Sequence, residues 1–424
     1  MSKKLKVGLL GCGTVGRGLV DLIRRNRRLI AERSGVEIEV SKILVRDLTK
    51  DRGVDRALLT DRPEEVIRNG CDVVVELIGG LEPARSFLTQ AIEQKKDVVT
   101  ANKALLALSG AELFRAAAAS GVRVGFEASV CGGIPIIRAI ASGLVGNRIE
   151  AICGIVNGTC NYILTRMAEE GLSFDAALRE AQAKGFAEAD PTLDVDGLDA
   201  AQKLEILAEL AFGAQVDPGQ VLVEGIRQLD EEDIRSAREL GYVLKHVAIA
   251  RDLGESLDLR VHAALLPAVH PLAHVRNENN AVLLKGDAVG EMIFQGKGAG
   301  SLPTASAVLA DLIEIARHRR EPLQVPEAPV KPVAADIESK YYLRFPILDV
   351  PGVIGLIATA LGNRGVSISN AAATLVKGKP GQGNVKILTH RTRESVLRKS
   401  IDEIARLPVL NGKPVVLRIL EEGA

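Results

Sequence analysis

Leu5-Lys-Val-Gly-Leu-Leu-Gly-Cys-Gly-Thr-Val-Gly-Arg-Gly-Leu-Val-Asp-Leu-Ile23 is a short apolar run, then Gly11-x-Gly13-x-x-Gly16, then a helical pattern. The glycine spacing alone carries little weight. Strand, motif and helix in that order form the start of a dinucleotide-binding unit. The glycines allow a tight turn and let the main chain approach a pyrophosphate held at the helix N-terminus. A glycine-rich turn without a ligand is the competing reading.

Working outward, Val36 to Val45 reads as a second strand ending in Arg46-Asp47-Leu48. That end faces the adenosine ribose in a dinucleotide fold, where an acid suits NAD and an arginine accommodates a 2′-phosphate. Arg46 comes first, with Lys50 and Arg52 close behind, so NADP is expected. NAD stays open, because the separation from Gly16 exceeds the usual ~20 residues. Cys71 to Gly80 fits a central parallel strand, being almost wholly apolar. Asp97 to Lys103 repeats the strand-to-loop pattern after a helix from Pro83 to Lys95. Lys103 therefore stands just past a strand's C-terminal end, the edge where open α/β sheets bind ligands, although an ordinary solvated lysine would look the same. In Gly121 to Pro135 a strand ends in a glycine-rich turn, whose carbonyls, with Glu127 nearby, could hold a hard monovalent cation.

The chain has 424 residues, enough for two or three domains with buried cores. Lys+Arg and Asp+Glu both number 54, so net charge argues for neither nucleic acid nor a membrane surface. No apolar run approaches the ~20 residues that span a bilayer, and Met1-Ser-Lys-Lys-Leu-Lys leads into a strand rather than a signal segment. A cytoplasmic protein is expected. The five cysteines show no CxxC pair, which suggests buried thiols, and His270-x3-His274 lacks a carboxylate partner, so no catalytic zinc is expected.

Ala151 to Val156 begins a new unit, in which Asn157-Gly-Thr159-Cys-Asn161 can cap a helix running to Glu170. Strand-like stretches follow at Val243 to Ala250, Leu257 to Ala264 and Ala281 to Gly286, and Gly296-Lys-Gly298-Ala-Gly300-Ser-Leu-Pro303 opens another helix. The segment from Lys184 to Leu210 carries the densest chemistry. A loop punctuated by Pro191, Asp194, Asp196 and Gly197 can supply an aspartate cap for the Ala/Leu-rich helix after it. On that helix Gln202, Glu205 and Glu209 form one polar stripe, the face to give to water. Asp199 and Lys203 lie off that stripe, four residues apart, beside Ile206, Leu207 and Leu210. They read either as an exposed ion pair or as a partnered buried charge, with desolvation lowering the lysine pKa into the range useful for proton transfer. Glu188, upstream in the loop, adds a carboxylate for a cationic substrate group.

Glu321 to Val333 holds four prolines in its first twelve residues and reads as a semi-rigid linker. Beyond it, Ser339 to Asp349, Pro351 to Asn363, Val366 to Val376, Gly383 to His390, Glu394 to Leu407 and Lys413 to Leu420 give a βαββαβ order, the ferredoxin-like plan. No acid–base constellation appears there, so binding or regulation is the expected role. The expected division is a dinucleotide-binding domain at 1–130, an α+β catalytic and dimerisation domain at 131–320, the linker at 321–338 and the ferredoxin-like unit at 339–424.

Taken together, Gly11 to Gly16, Val99-Thr-Ala-Asn-Lys103, Glu127-Ala-Ser-Val-Cys-Gly-Gly-Ile-Pro135, Asn157 to Asn161 and Glu188 to Lys203 resemble homoserine dehydrogenases over essentially the whole length. Asp349-Val-Pro-Gly-Val and Asn363-Arg-Gly-Val resemble an ACT domain. The resemblance implies reversible NAD(P)H-dependent reduction of L-aspartate 4-semialdehyde to L-homoserine, on the route to threonine and methionine. It further implies Lys203 as proton donor, and Glu188 and Asp199 as substrate-binding residues. Thr14, Val15, Arg46, Lys103, Gly185 and Gly300 would touch the cofactor, with a proton-transfer role for Lys103 left open. Glu127, Val130, Gly132 and Ile134 would surround a sodium ion. Threonine is the expected effector, and a homodimer or homotetramer the expected assembly. No cysteine sits in a nucleophile-plus-histidine setting, which argues against a phosphorylating semialdehyde dehydrogenase. The alternative is an inactive amino-acid sensor on the same fold, distinguished by failure to oxidise NADPH with aspartate semialdehyde.

Overall fold

Strand β1 (Lys3–Leu10) lies at the centre of a wholly parallel sheet with β2 (Val36–Leu44), β3 (Leu59–Thr60), β4 (Val73–Glu76), β5 (Asp97–Thr100) and β6 (Val124–Gly125). Their order, β3-β2-β1-β4-β5-β6, reverses direction at β1, as in a dinucleotide-binding fold. The computed structural model describes residues 3–68, 70–318, 329–376 and 378–421. Every residue of β4 and β5 is buried, the paired valines at their centres being covered on both faces of the sheet. Val73 and Val75 face the core shared with the helix Thr14–Arg25, while Val74 faces the helices Ala84–Glu93 and Lys103–Ser120.

The helix Ser301–His318 falls inside the segment 131–320 but packs on the nucleotide sheet. Ala305, Val308, Leu312 and Ile315 enter the core of β1, β4 and β5, and the helix runs against Thr14–Arg25. The dinucleotide unit is therefore completed by a helix nearly two hundred residues downstream in sequence, beyond its expected boundary at 130.

The second sheet is built from β7 (Ile149–Ile155), β8 (Leu222–Val223), β9 (Tyr242–Asp252), β10 (Leu257–Pro267), β11 (Asn279–Gly286) and β12 (Gly290–Lys297). The helices Gly158–Glu170, Leu198–Phe212 and Glu231–Glu239 pack on it. The sheet continues without a break into β13 (Glu338–Leu348), β14 (Ile368–Leu375), β15 (Gln382–Thr389), β16 (Thr392–Arg393) and β17 (Val415–Ile419). With the helices Val353–Gly362 and Glu394–Ile404, these give the expected βαββαβ unit, in the order β17-β13-β15-β14.

The join between the two units is a strand pairing. β10 and β17 run parallel with Ala264 opposite Arg418, and the Leu420 amide donates to the Leu265 carbonyl at 2.9 Å. Arg418 reaches Glu224 at 2.6 Å and also Glu394, while Arg344 reaches Asp233 at 2.7 Å and Asp230 at 2.8 Å. Residues 321–328 of the expected linker lie outside the described residues. The rest of it is docked: Leu257 donates to the Pro332 carbonyl and Gln215 to the Pro329 carbonyl, both at 2.9 Å. Among the described residues no helix is long and apolar enough to cross a membrane, and all five cysteines are buried free thiols.

Candidate active site

The glycine motif sits at the C-terminal end of β1 and opens a cleft of about 820 Å³. Gly11 takes a φ of +106°, and a Cβ on Gly16 would lie 2.6 Å from the Gly11 carbonyl, so the turn requires glycine at both positions. Gly13 has no atom within 4 Å of where its Cβ would stand, leaving the helix N-terminus open to a ligand. Thr14 begins the helix and its carbonyl accepts from the Ser301 hydroxyl at 2.8 Å, which brings Gly300, with a φ of +125°, alongside the motif. Val15 is half-buried behind it. Arg46 lines the same cleft with Arg17, Lys50 and Arg52, opposed by Asp51 and Asp61. Gly185 stands apart, at an exposed bend where its amide returns to Gln182.

The loops that follow β4 and β5 are organised by Glu76, which is fully buried. Its carboxylate accepts from the Thr100 hydroxyl at 2.6 Å and from the amides of Ile78 and Gly79 at 2.7 and 2.9 Å. Asn102 then caps the helix Lys103–Ser120 by accepting from Leu105 at 3.1 Å, and donates to the Gly80 carbonyl. This fixes Lys103 at the first position of the helix, with its ammonium 3.1 Å from Asp199. Lys103 is thus part of a charge cluster, not an isolated solvated lysine.

Asp199 and Lys203 occupy one face of the helix Leu198–Phe212, as their spacing demands, with Nζ 2.7 Å from Oδ2. Their side chains are only 10 % and 12 % exposed, so the pair is no surface salt bridge. The Lys203 ammonium also donates to the Val156 carbonyl at 2.7 Å. Asn157 uses both ends of its amide: its oxygen caps the helix Gly158–Glu170 through Cys160, and its nitrogen donates to Asp199 and Asp194, both at 2.7 Å. Thr159 donates to Asp194 at 3.1 Å. Asn161 is structural, donating to the carbonyls of Val275, Asn277 and Asn279.

Burial alone would raise the Asp199 carboxyl, but Lys203 and Lys103 pull it down to about 2. For Lys203, burial opposes the charge and Asp199 more than restores it, so its pKa is raised above the ordinary lysine value. That corrects the expectation of a lowered value: the pocket desolvates the amine but places an anion 2.7 Å away. The group is held as an ammonium and so carries a proton at neutral pH.

Two further expectations for this segment fail. The helix is capped by Gly197 at a φ of +89°, with no side-chain hydrogen bond to the cap, because Asp194 is turned towards Asn157 and Asp196 pairs with Arg227. Nor is the stripe of Gln202, Glu205 and Glu209 given to water. Glu205 is 6 % exposed, and burial with Glu209 as a like-charged neighbour raises its pKa to about 7. The helix is enclosed on several sides, by the second sheet and by the helix Lys103–Ser120. Glu188 lies exposed in the loop before this helix, and among the described residues none hydrogen-bonds its carboxylate.

In the glycine-rich turn after β6, the Glu127 carboxylate is buried and accepts from the amides of Ile137 and Arg138, both at 2.9 Å. The Ile134 carbonyl accepts from the Ile136 amide at 2.8 Å. The carbonyls of Val130 and Gly132 accept no main-chain hydrogen bond among the described residues, though both residues are buried. Two unpaired carbonyls in an oxygen-rich turn are hard donors that fit a monovalent cation.

Residues 11–127 match the family model described as the homoserine dehydrogenase NAD binding domain, and residues 135–313 match the homoserine dehydrogenase model. A homoserine dehydrogenase of Synechocystis sp. is 44 % identical, the match covering 98 % of this chain and 99 % of the relative. The chain belongs to the homoserine dehydrogenase family. A crystal structure of a homoserine dehydrogenase from Thiobacillus denitrificans superposes with a TM-score of 0.92 at 45 % identity, covering 99 % of both chains. A hyperthermophilic archaeal homoserine dehydrogenase in complex with NADPH covers 76 % of this chain and all of its own, at 28 % identity and a TM-score of 0.64.

From the sequence Asp194 reads only as loop punctuation and a possible cap, and neither the Val156 carbonyl nor the second use of Asn157 is marked. Asn157 did carry a signal, since an asparagine that caps with its oxygen has an amide nitrogen to spare.

Proposed function

We propose that this homoserine dehydrogenase reduces L-aspartate 4-semialdehyde to L-homoserine with Lys203 as the proton donor and NADPH as the preferred cofactor. The observation that carries this reading is the Lys203 ammonium, buried and held by Asp199 and the Val156 carbonyl. Bound dinucleotide supplies a hydride at its nicotinamide; the chain supplies the rest. Gly11, Gly13, Thr14, Val15 and Gly16 with Gly300 would cradle the pyrophosphate side, and Arg46 with Lys50 and Arg52 would meet a 2′-phosphate. The complex of the archaeal relative contains NADPH, in keeping with that choice.

At the reacting carbon, the aldehyde oxygen gains negative charge as hydride arrives. Lys203 would place its proton on that oxygen, and in the reverse direction accept it back. Asp199 spans both lysines, one on each carboxylate oxygen, so its main part would be to orient Lys203 and Lys103 rather than to meet the amino acid directly. Asp194 and the exposed Glu188 are then the carboxylates for the substrate ammonium, and Lys103 is a cation near its carboxylate or the cofactor. Gly185 would contribute main chain to the cofactor. A sodium ion would be held by Val130, Gly132, Ile134 and Glu127, pinning the turn that leads into Cys131 beside the site.

The βαββαβ unit would act as an ACT domain that binds threonine at an interface between subunits of a homodimer or homotetramer. Its support is a cleft lined by Pro351, Gly352, Gly355, Thr359 and Glu403, together with the exposed edge strand β14. The test is oxidation of NADPH and of NADH by purified protein with aspartate semialdehyde, each with and without saturating threonine. Faster turnover with NADPH and inhibition by threonine are expected. A preference for NADH would remove the 2′-phosphate assignment, and unchanged kinetics in threonine would remove the effector.

A further inference from the structure

The Val156 carbonyl that receives the Lys203 ammonium accepts a second hydrogen bond, at 2.8 Å, from the side-chain amide of Asn280. Asn280 stands near the start of β11 and is 1 % exposed. The same nitrogen lies 3.4 Å from the Cys131 thiol. Chemistry fixes which way round the amide sits: turned over, its oxygen would face the Val156 carbonyl oxygen with no proton between them. In this orientation Oδ1 is left buried without a partner. An unpaired buried acceptor is unfavourable, so the fold tolerates it to keep the nitrogen on that carbonyl.

The backbone around Asn280 is shaped to admit it. A Cβ on Gly298 would lie 2.2 Å from the Asn280 amide carbon and nitrogen, so any larger residue there would push the amide away. Val156 itself joins the end of β7 to Asn157, whose amide nitrogen holds Asp199. One peptide thus borders both anchors of the lysine.

We propose that Asn280 is a positioning residue for the proton donor: it fixes the Val156 carbonyl, and through it the line along which the Lys203 ammonium points. The inference rests on the reading of Lys203 given above. A carbonyl held by two donors cannot swing to follow one of them, so the ammonium keeps its place when substrate enters.

The test is steady-state reduction by Asn280→Ala across pH, with nucleotide affinity and thermal melting measured on the same samples. Turnover should fall about ten-fold with KM within a few-fold, and the alkaline limb of kcat should shift, because the carbonyl that sets the ammonium's place is freed and its share in that hydrogen bond changes. A wild-type kcat and limb would overturn the inference. So would a fall in kcat with an unmoved limb, which would mean a structural role only. If Asn280→Ala does not fold, Gly298→Ala displaces the same amide; a shifted limb supports the proposal and an unshifted one overturns it. Lys203→Ala measured alongside separates the two readings. Turnover lost there but normal in Asn280→Ala sinks only the positioning role, whereas turnover kept in Lys203→Ala sinks the proton donor itself.

Discussion

Asp199 has more partners than its spacing to Lys203 suggests. It faces Lys203, Lys103 and Asn157 at once, and its carboxyl is held down at about 2 by the two lysines. The consequence for pH runs through Lys203, whose pKa is raised because Asp199 outweighs burial. Replacing Asp199 by asparagine leaves the burial and removes the anion, so the Lys203 pKa should fall and the proton donor should be lost at lower pH. We expect Asp199→Asn to lower turnover by about ten- to a hundred-fold and to move the alkaline limb of the reduction profile down. A pH–rate profile checks this, and a limb that stays in place would detach Asp199 from the lysine. The pair was legible in the sequence because helical periodicity fixes neighbours four apart. Lys103 was not, since its contact with Asp199 spans 96 positions and depends on the capping of a different helix.

The helix Leu198–Phe212 shows where local pattern misleads. A stripe of Gln202, Glu205 and Glu209 reads as a solvent face when the helix is considered alone. Packing between the second sheet and the helix Lys103–Ser120 buries it, and the Glu205 carboxyl rises to about 7. A carboxyl whose folded pKa exceeds its unfolded value binds more protons in the native state. Its contribution is therefore fully present below about pH 4 and is lost as pH rises through about 7. Glu205→Gln should raise the melting temperature by a few degrees at pH 8 and by nothing below about pH 4. Thermal melts across that range decide it, and a gain independent of pH would show that charge is not the cause. The turn-and-cap elements were better marked. The cap by Asn157 and the glycine turn at Gly11 each follow from a residue type with a narrow set of local uses.

In the molecule as a whole, the nucleotide sheet, the second sheet and the βαββαβ unit are joined by packing that the chain order conceals. Periodicity and glycine spacing revealed the parallel sheet and the C-terminal unit, because both are built from local patterns. The helix Ser301–His318 returning to the nucleotide core, and β17 pairing with β10, are long-range choices with no local mark. At that second junction Arg418 is 4 % exposed between Glu224 and Glu394. Arg418→Met would leave Glu224 and Glu394 with only the exposed Arg398 as their cation and should cost about 1.5–3 kcal/mol of stability, read by denaturant unfolding. A loss below about 1 kcal/mol would class the junction with surface ion pairs. The account as a whole stands on the ammonium at Lys203, and the most direct test is the turnover of Lys203→Ala with nucleotide affinity measured on the same sample. A fall of about 10²–10⁴ in kcat with nucleotide binding retained is the expected result. Turnover within a few-fold of the parent protein would contradict it.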